Sequence, residues 1–445
     1  MTSTGTTTPA TRAQRYGVDE RYWRWRAPRT NETHAIRYTE AVGDGDGPAV
    51  VLVHGFGGNA DHWRRNVNAL AATGKRVYAI DLLGYGYSDK PNPMLREQNE
   101  IYCFETWGKQ IEDFLDEVVG TPAYVACNSV GGVAGLQAAV DAPTKVRGVV
   151  LMNISLRGLH VSKQPAIIRP FVKALQRTLR ETSVGKSFFG SVAKARTVKN
   201  ILCEAYGDSA QVTDELVEAI LSPGLREGAA EVFLDFISYS GGPLPEELLP
   251  RCDVPVRMFW GDKDPWENID QGRKLYASYA DKFIPLPGVG HCPQDEAPEL
   301  VNRLLVECVD EWEAARAAAA AAGCVALAEK VDYLVSCFSS PSAAGGAPLV
   351  VAGTQAGALG VFPVVRDRLE LPGRATLGAP LATFEGGHKD IVRAFVPGAA
   401  PVTGAEDSRV CVWGHSAPAD GGESSGGKAA RDAGDSVGSR RHSPY

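Results

Sequence analysis

The sequence predicts an α/β fold, a mostly parallel sheet with an inserted helical lid, followed by a smaller all-β segment. Three observations carry that prediction. Short β-branched runs alternate with helical stretches from about residue 34 to 314, which is the pattern of a parallel sheet. The stretch from about 160 to 245 breaks the alternation, offering no convincing strand but several amphipathic helices. Beyond an Ala/Arg run near 313–322 the composition turns to Gly, Ala, Pro and Val, and a repeat appears. At 445 residues the chain exceeds what a single core commonly supports, so two units are expected.

Taken in order, residues 1–20 are rich in Thr, carry Arg12 and Arg15, and have no acid before Asp19. They fit a disordered start and the end of an organelle transit peptide equally well, and they lack a secretory apolar core. The first unit spans 21–314. Its strands fall at Ala49–Val53, Arg76–Asp81, Tyr124–Cys127, Val146–Met152, Val254–Trp260 and Phe283–Leu286. Helices are expected at Phe104–Val119, where Ile111, Phe114, Leu115 and Val118 keep helical spacing, at Gly131–Ala142 and at Pro298–Trp312. The lid covers about 156–248. Residues 315–323 form an Ala-rich, helix-competent linker. In the segment 324–414, Gly353–Phe362 aligns with Gly404–Trp413 at an offset of 51 residues. The second copy has Gly387-His388 upstream and Asp407 six residues before Trp413, a framework that resembles the WD-repeat family. The first copy has Ala356 and Phe362 at the Asp and Trp positions. Two such blades cannot close a propeller, which needs about four, so the segment reads as either a fused fragment or an artefact of the gene model; as a functional segment it would have a protein as its partner. The tail 415–445 is Gly/Ser/Asp/Arg-rich and is expected to be disordered.

Composition excludes several classes. A net charge of −7 leaves no basic excess to neutralise phosphates, which argues against a nucleic-acid binder. The nine cysteines form no Cys-x-x-Cys pair, so neither a zinc site nor a disulfide framework is expected. Reduced thiols, no metal and no cofactor are the expectation. No apolar run reaches the roughly 18 residues of a spanning helix.

The chemistry centres on Ser129. It follows the apolar run Tyr124-Val125-Ala126 and opens a small-residue helix; strand, sharp turn and helix with serine at the apex make a nucleophile elbow. The first glycine of Gly-x-Ser-x-Gly is here Cys127, and a helix-capping serine is the bland alternative. Three further features weigh against it. His54-Gly55-Phe56-Gly57-Gly58 follows the Val50–Val53 run, where the N–H groups of Phe56 and Val130 would face an oxyanion. Asp264 lies four residues past Trp260, and His291 sits in a Gly-rich loop after the last strand. Serine, acid and base in that order suit acyl transfer. Asp262 and Glu267 compete for the acid's role; Asp262 follows Trp260 too closely, so Asp264 is preferred. Cys127 and Cys292 read as packing residues, and Gly84–Asp89 as a turn rather than a phosphate loop.

Val53–Arg64, Asp81–Pro91, Asn128–Gly132 and Gly290–Glu296, with lid segments Gln211–Val217 and Ser240–Glu247, resemble plant and algal chloroplast α/β hydrolases, above all the chlorophyll dephytylase and pheophytinase group. The resemblance runs from about 20 to 312. It implies the α/β-hydrolase fold, cleavage of the phytyl ester of a chlorophyll-type pigment in the chloroplast, and a Ser129/Asp264/His291 triad. Such an alcohol needs an apolar slot; Ile167, Ile168, Phe171, Phe188, Phe189, Phe233 and Phe236 would line it, or else form the lid's own core. Residues 161–200 carry nine Lys or Arg and the single acid Glu181, which suits either an anionic thylakoid surface or a solvated lid face. Two rivals remain: a carbon–carbon or other carboxylester hydrolase with the same triad, and a WD-repeat interaction protein with an inert hydrolase fold. A carboxylate-nucleophile dehalogenase or epoxide hydrolase is disfavoured by Ser129.

Overall fold

The computed structural model describes residues 16–42 and 47–321, and beyond them a set of strands between 326 and 412. Two compact units meet at residues 314/315. In the first, eight strands form one sheet: β1 (Asp19–Ala27), β2 (Glu32–Val42), β3 (Ala49–Val53), β4 (Arg76–Ile80), β5 (Ala123–Asn128), β6 (Val146–Met152), β7 (Val256–Gly261) and β8 (Lys282–Leu286). Their order is β1-β2-β4-β3-β5-β6-β7-β8. The hairpin β1/β2 is antiparallel and joins β4 antiparallel, whereas every pair from β4 to β8 is parallel.

The strands expected from β-branched runs are present within one or two residues. The seventh starts at Val256 rather than Val254, because Pro255 has no N–H to give to a ladder. The hairpin β1/β2 precedes all the strands placed from the sequence. Its inward residues Trp23, Trp25 and Ala27 are buried and alternate with exposed Arg24 and Arg26, the period-two pattern of a half-buried strand. The helix expected over 104–119 is α-helical from Phe104 to Phe114, widens to a π turn over Leu115–Val119, and stops at Gly120, whose φ is 70°. The helix from Pro298 runs to Ala321 and takes in most of the Ala-rich linker. Between β6 and β7 no strand occurs; five helices of nine or more residues lie there, at Arg169–Glu181, Ser183–Val192, Ala195–Ala205, Asp214–Gly224 and Ala229–Ile237.

Topology places the site. The chain turns from β3 to β4 on one side and to β5 on the other, so β3 and β5 are neighbours with connections leaving in opposite directions. A crevice opens at the carboxyl ends of such strands. His54–Gly58 leaves β3 there and Ser129 leaves β5. The two loops touch: a side chain at Gly131 would overlap the His54 carbonyl. Gly135, one helical turn on, lacks the Cβ that would collide with Cys127 Sγ. Cys127 is fully buried, so a thiol occupies the space under the elbow.

In the C-terminal unit the described residues form antiparallel pairs, apart from one parallel pair, Arg374–Ala375 with Ala326–Leu327. The repeat is visible in register: Gly353 pairs with Leu359 and Val351 with Val361, as Gly404 pairs with Val410 and Val402 with Val412. The 51-residue offset thus relates two equivalent hairpins. Residues 1–15, the WD-type landmarks Ala356, Gly387, His388, Asp407 and Trp413, and the tail 415–445 lie outside the described residues.

Replacing Gly131 by Ala forces a Cβ onto the His54 carbonyl, and the expected cost is about 1–3 kcal/mol, as for overpacking elsewhere. Urea unfolding of G131A measures it; an unchanged midpoint would mean that the two loops separate freely.

Candidate active site

Ser129 adopts φ 55° and ψ −125°, a left-handed conformation that costs a non-glycine residue of order 1–3 kcal/mol and persists only where the surroundings enforce it. Enforcement comes from both sides. Its N–H donates to the Met152 carbonyl, and its own carbonyl accepts from the N–H of Gly132 and Ser155. The next residue starts the helix Val130–Asp141. Among the described residues no protein acceptor pairs with the N–H of Phe56 or Val130, and both residues line the cavity above Ser129. The loop bearing Phe56 is held by His54, whose Nδ1 donates to the Gly55 carbonyl at 2.7 Å while Nε2 accepts the Leu82 N–H at 3.1 Å. Burial lowers the His54 pKa, in keeping with a neutral ring that can accept at Nε2.

Asp264 and His291 meet. His291 Nδ1 and Asp264 Oδ2 are 2.7 Å apart, and the Asp264 side chain is wholly shielded from solvent. The same oxygen accepts Asn153 Nδ2 at 2.7 Å, and the other oxygen accepts the N–H groups of Trp266 and Glu267. Burial alone would raise the Asp264 pKa; the His291 bond and charge and the two N–H donors outweigh it, and the net shift is downward. The rival acids have other partners: Asp262 accepts the Gly288 N–H, and Glu267 accepts the Leu156 N–H. Glu267 moves the opposite way, its pKa raised by burial against the pull of Leu156 and Ser155.

Several residues that the sequence did not single out fix the histidine loop. Asn128 Nδ2 donates to the His291 carbonyl. The N–H of His291 donates to Ala205 at the end of a lid helix. Glu296, buried, accepts Gly290 N–H on one oxygen and Asp208 N–H, from the lid, on the other. Tyr206 donates to Asp295 and faces His62 Nε2 at 3.1 Å. Burial drives the His62 pKa to about 4, against the opposing charge of Asp295. Partners separated by 88 to 163 residues carry no local sequence signal.

Ser129 and His291 line one cavity of about 510 Å³. Phe188, Phe189, Phe233 and Phe236 line it too, with Phe56 stacked on Phe236 at 4.9 Å. Ile167, Ile168 and Phe171 do not. They lie exposed on the lid's outer face, because the helix carrying Phe171 turns only Val172 and Leu179 of its apolar residues toward the body. Cys292 lines the cavity but is buried with its thiol pKa pushed well up. Gly84–Asp89 is a turn closed on Asp81, which accepts the Tyr87 N–H. No cluster of metal-ligating side chains occurs among the described residues.

Residues 50–304, more than half of the chain, match the model of the alpha/beta hydrolase family, and the chain belongs to that family. It is 28% identical over 305 residues to chloroplastic pheophytinase of Arabidopsis thaliana, a match covering 61% of this chain and 63% of that protein. It is 26% identical over 269 residues to a 2-hydroxy-6-oxononadienedioate/2-hydroxy-6-oxononatrienedioate hydrolase of Cupriavidus pinatubonensis, covering 58% and 85%. In fold it is similar to a thermophilic esterase from Thermogutta terrifontis, at a TM-score of 0.52 and 18% identity over 66% of this chain and 99% of that one.

Because Asp264 is held ionised below its unfolded pKa of about 3.9, its stabilisation is present above that value and is lost as pH falls through the lower folded pKa. Unfolding free energies followed from pH 7 to acid should fall more steeply below about pH 4 for the parent than for D264N; parallel curves would deny the pairing.

Proposed function

We propose that this hydrolase cleaves the phytyl ester of a chlorophyll-type pigment in the chloroplast through an acyl-enzyme on Ser129. One observation carries the reading: the cavity above Ser129 is walled by apolar lid side chains and is lined by no Lys or Arg. Its volume suits a small-molecule ligand. A long isoprenoid alcohol gains about 0.8 kcal/mol per buried CH₂ there. A dienoate acid, the substrate type of the carbon–carbon alternative, would bring a carboxylate to a cavity whose one acidic lining residue is Glu267. Burying an unpaired carboxylate costs several kcal/mol. The likeness to pheophytinase supports the same choice and the chloroplast setting.

In this mechanism Ser129 Oγ attacks the ester carbonyl while His291 takes its proton, with Asp264 holding the ring by Nδ1 and stabilising the imidazolium. The N–H groups of Phe56 and Val130 receive the oxyanion. His291 then protonates the phytol oxygen as it leaves, and a water attacks the acyl-enzyme to free the pigment acid. The alcohol lies among Phe188, Phe189, Phe233 and Phe236. The macrocycle stays at the rim, where Trp266 stands half exposed with its ring 4.9 Å from that of His291. For the C-terminal unit we propose two partial WD-type blades that bind a protein; the two equivalent hairpins support the repeat.

Product analysis with chlorophyll, pheophytin and a dienoate acid tests the assignment. Phytol release is expected from a pigment, lost by at least about 10⁴-fold in S129A and in D264N with the fold intact. Turnover of the dienoate alone would replace the pigment reading.

A further inference from the structure

We infer that the outer face of the lid is a docking surface for an anionic lipid bilayer. The helix Arg169–Glu181 has no buried residue. Phe171 and Leu175, one turn apart, are 74% and 59% exposed, and Ile167 just before the helix is 79% exposed. The following helix, Ser183–Val192, exposes Val184 and Phe188 at the same spacing. Only Thr182 separates the two helices, and Gly185 sits so close to the Leu179 carbonyl that a Cβ there would overlap it. The two stripes therefore belong to one tight helical hairpin. Large apolar side chains grouped in water on a soluble protein mark a contact surface.

Charge selects the occupant. Of the nine cations between 161 and 200, five pair with carboxylates: Lys163 with Glu246, Arg177 with Glu181, Arg180 with Asp235, Lys186 with Glu231 and Lys199 with Asp214. Among the described residues Arg169 and Lys173 on the hairpin, and Lys194 and Arg196 just after it, have no carboxylate partner, which leaves this stretch locally positive on a chain of net charge −7. Arg169, Lys173, Arg177 and Arg180 share the side of their helix away from Phe171 and Leu175. Lys173, Arg177 and Arg180 line a cleft with Gln98, Gln176, Glu181 and Ser238, where Lys173 is the cation without a carboxylate partner among the described residues. An apolar face opposite a cationic one is the pattern of a helix lying in a membrane interface. Continuity with the site points the same way: Phe188, on the exposed stripe, also lines the cavity above Ser129. An apolar ester can then pass from bilayer to cavity without crossing water; that last step rests on the proposed substrate, whereas the docking does not.

Sedimentation of the full chain with vesicles tests the docking without any turnover, so its outcome is independent of whether a pigment is hydrolysed. Binding is expected to vesicles of equimolar phosphatidylglycerol and phosphatidylcholine, weaker to phosphatidylcholine alone, and weakened by salt. The double variant F171S/L175S should bind on the order of ten-fold or more weakly and K173Q roughly five-fold more weakly, both with the parent's melting temperature, since these side chains are exposed. Vesicle binding that neither variant alters overturns the inference, as does indifference to lipid charge. A concentration-dependent dimer that F171S/L175S dissolves, with no vesicle binding, also overturns it and gives the face to a second copy of the chain.

Discussion

The close approach of the helix start at Gly131 to the carbonyl of His54 is the constraint on which the site depends. It is possible only because β3 and β5 are adjacent and parallel, and only with a residue lacking a Cβ. Once made, it locks two loops that enter the sheet far apart in sequence. The elbow cannot relax from its left-handed serine without moving the helix, and the helix cannot move without pushing on the His54 loop. His54 passes the restraint on: its ring ties Gly55 to Leu82. The neighbouring Asp81 holds Ala60 and Tyr87 by their N–H groups and lies near the buried Arg37, whose charge Asp61 also meets. Strain at one serine is thereby offset by packing and hydrogen bonds distributed over three strand ends.

A second set of restraints runs through the lid rather than the sheet. The His291 N–H ends on Ala205, and Glu296 spans the Gly290 and Asp208 N–H groups. The end of the lid at 205–208 is thus part of the framework that holds the imidazole. Any opening of the lid has to leave that end in place, and the hairpin of Arg169–Val192 is the element with little to hold it: one buried residue, Gly185, in both helices together. Segments with few buried apolar contacts open at the lowest free-energy cost.

Much of this was legible in the sequence, and for physical reasons. Parallel strands buried on both faces read as short continuous apolar runs, so β3 to β8 stood out. Asp264 could be separated from Asp262 and Glu267 by its distance from the strand end, and it lies against His291. The hairpin β1/β2 carried a signal as well, in the alternation of Trp23, Trp25 and Ala27 with arginine. What could not be read was direction. Ile168 and Phe171 have the composition of a slot lining, but the slot is closed by Phe188, Phe189, Phe233 and Phe236, and only tertiary packing decides which way each helix turns. Likewise Asn153, Glu296 and Tyr206 act across more than 80 residues of chain, where no periodicity reaches.

The acid loop shows how environment assigns different states to neighbouring carboxylates. Asp264 and Glu267 are three residues apart, both largely buried, and burial pushes both pKa values up. Asp264 accepts four donors, one of them the imidazole, and its pKa falls; Glu267 meets fewer, and its pKa rises. Pairs pushed apart in this way mark distinct tasks in acid–base sites. An ionised Asp264 keeps the Nδ1 proton on His291, which leaves Nε2 as the acceptor nitrogen of the ring. The same loop therefore holds one carboxyl group fully partnered against the imidazole and a second, less fully partnered, at the cavity wall.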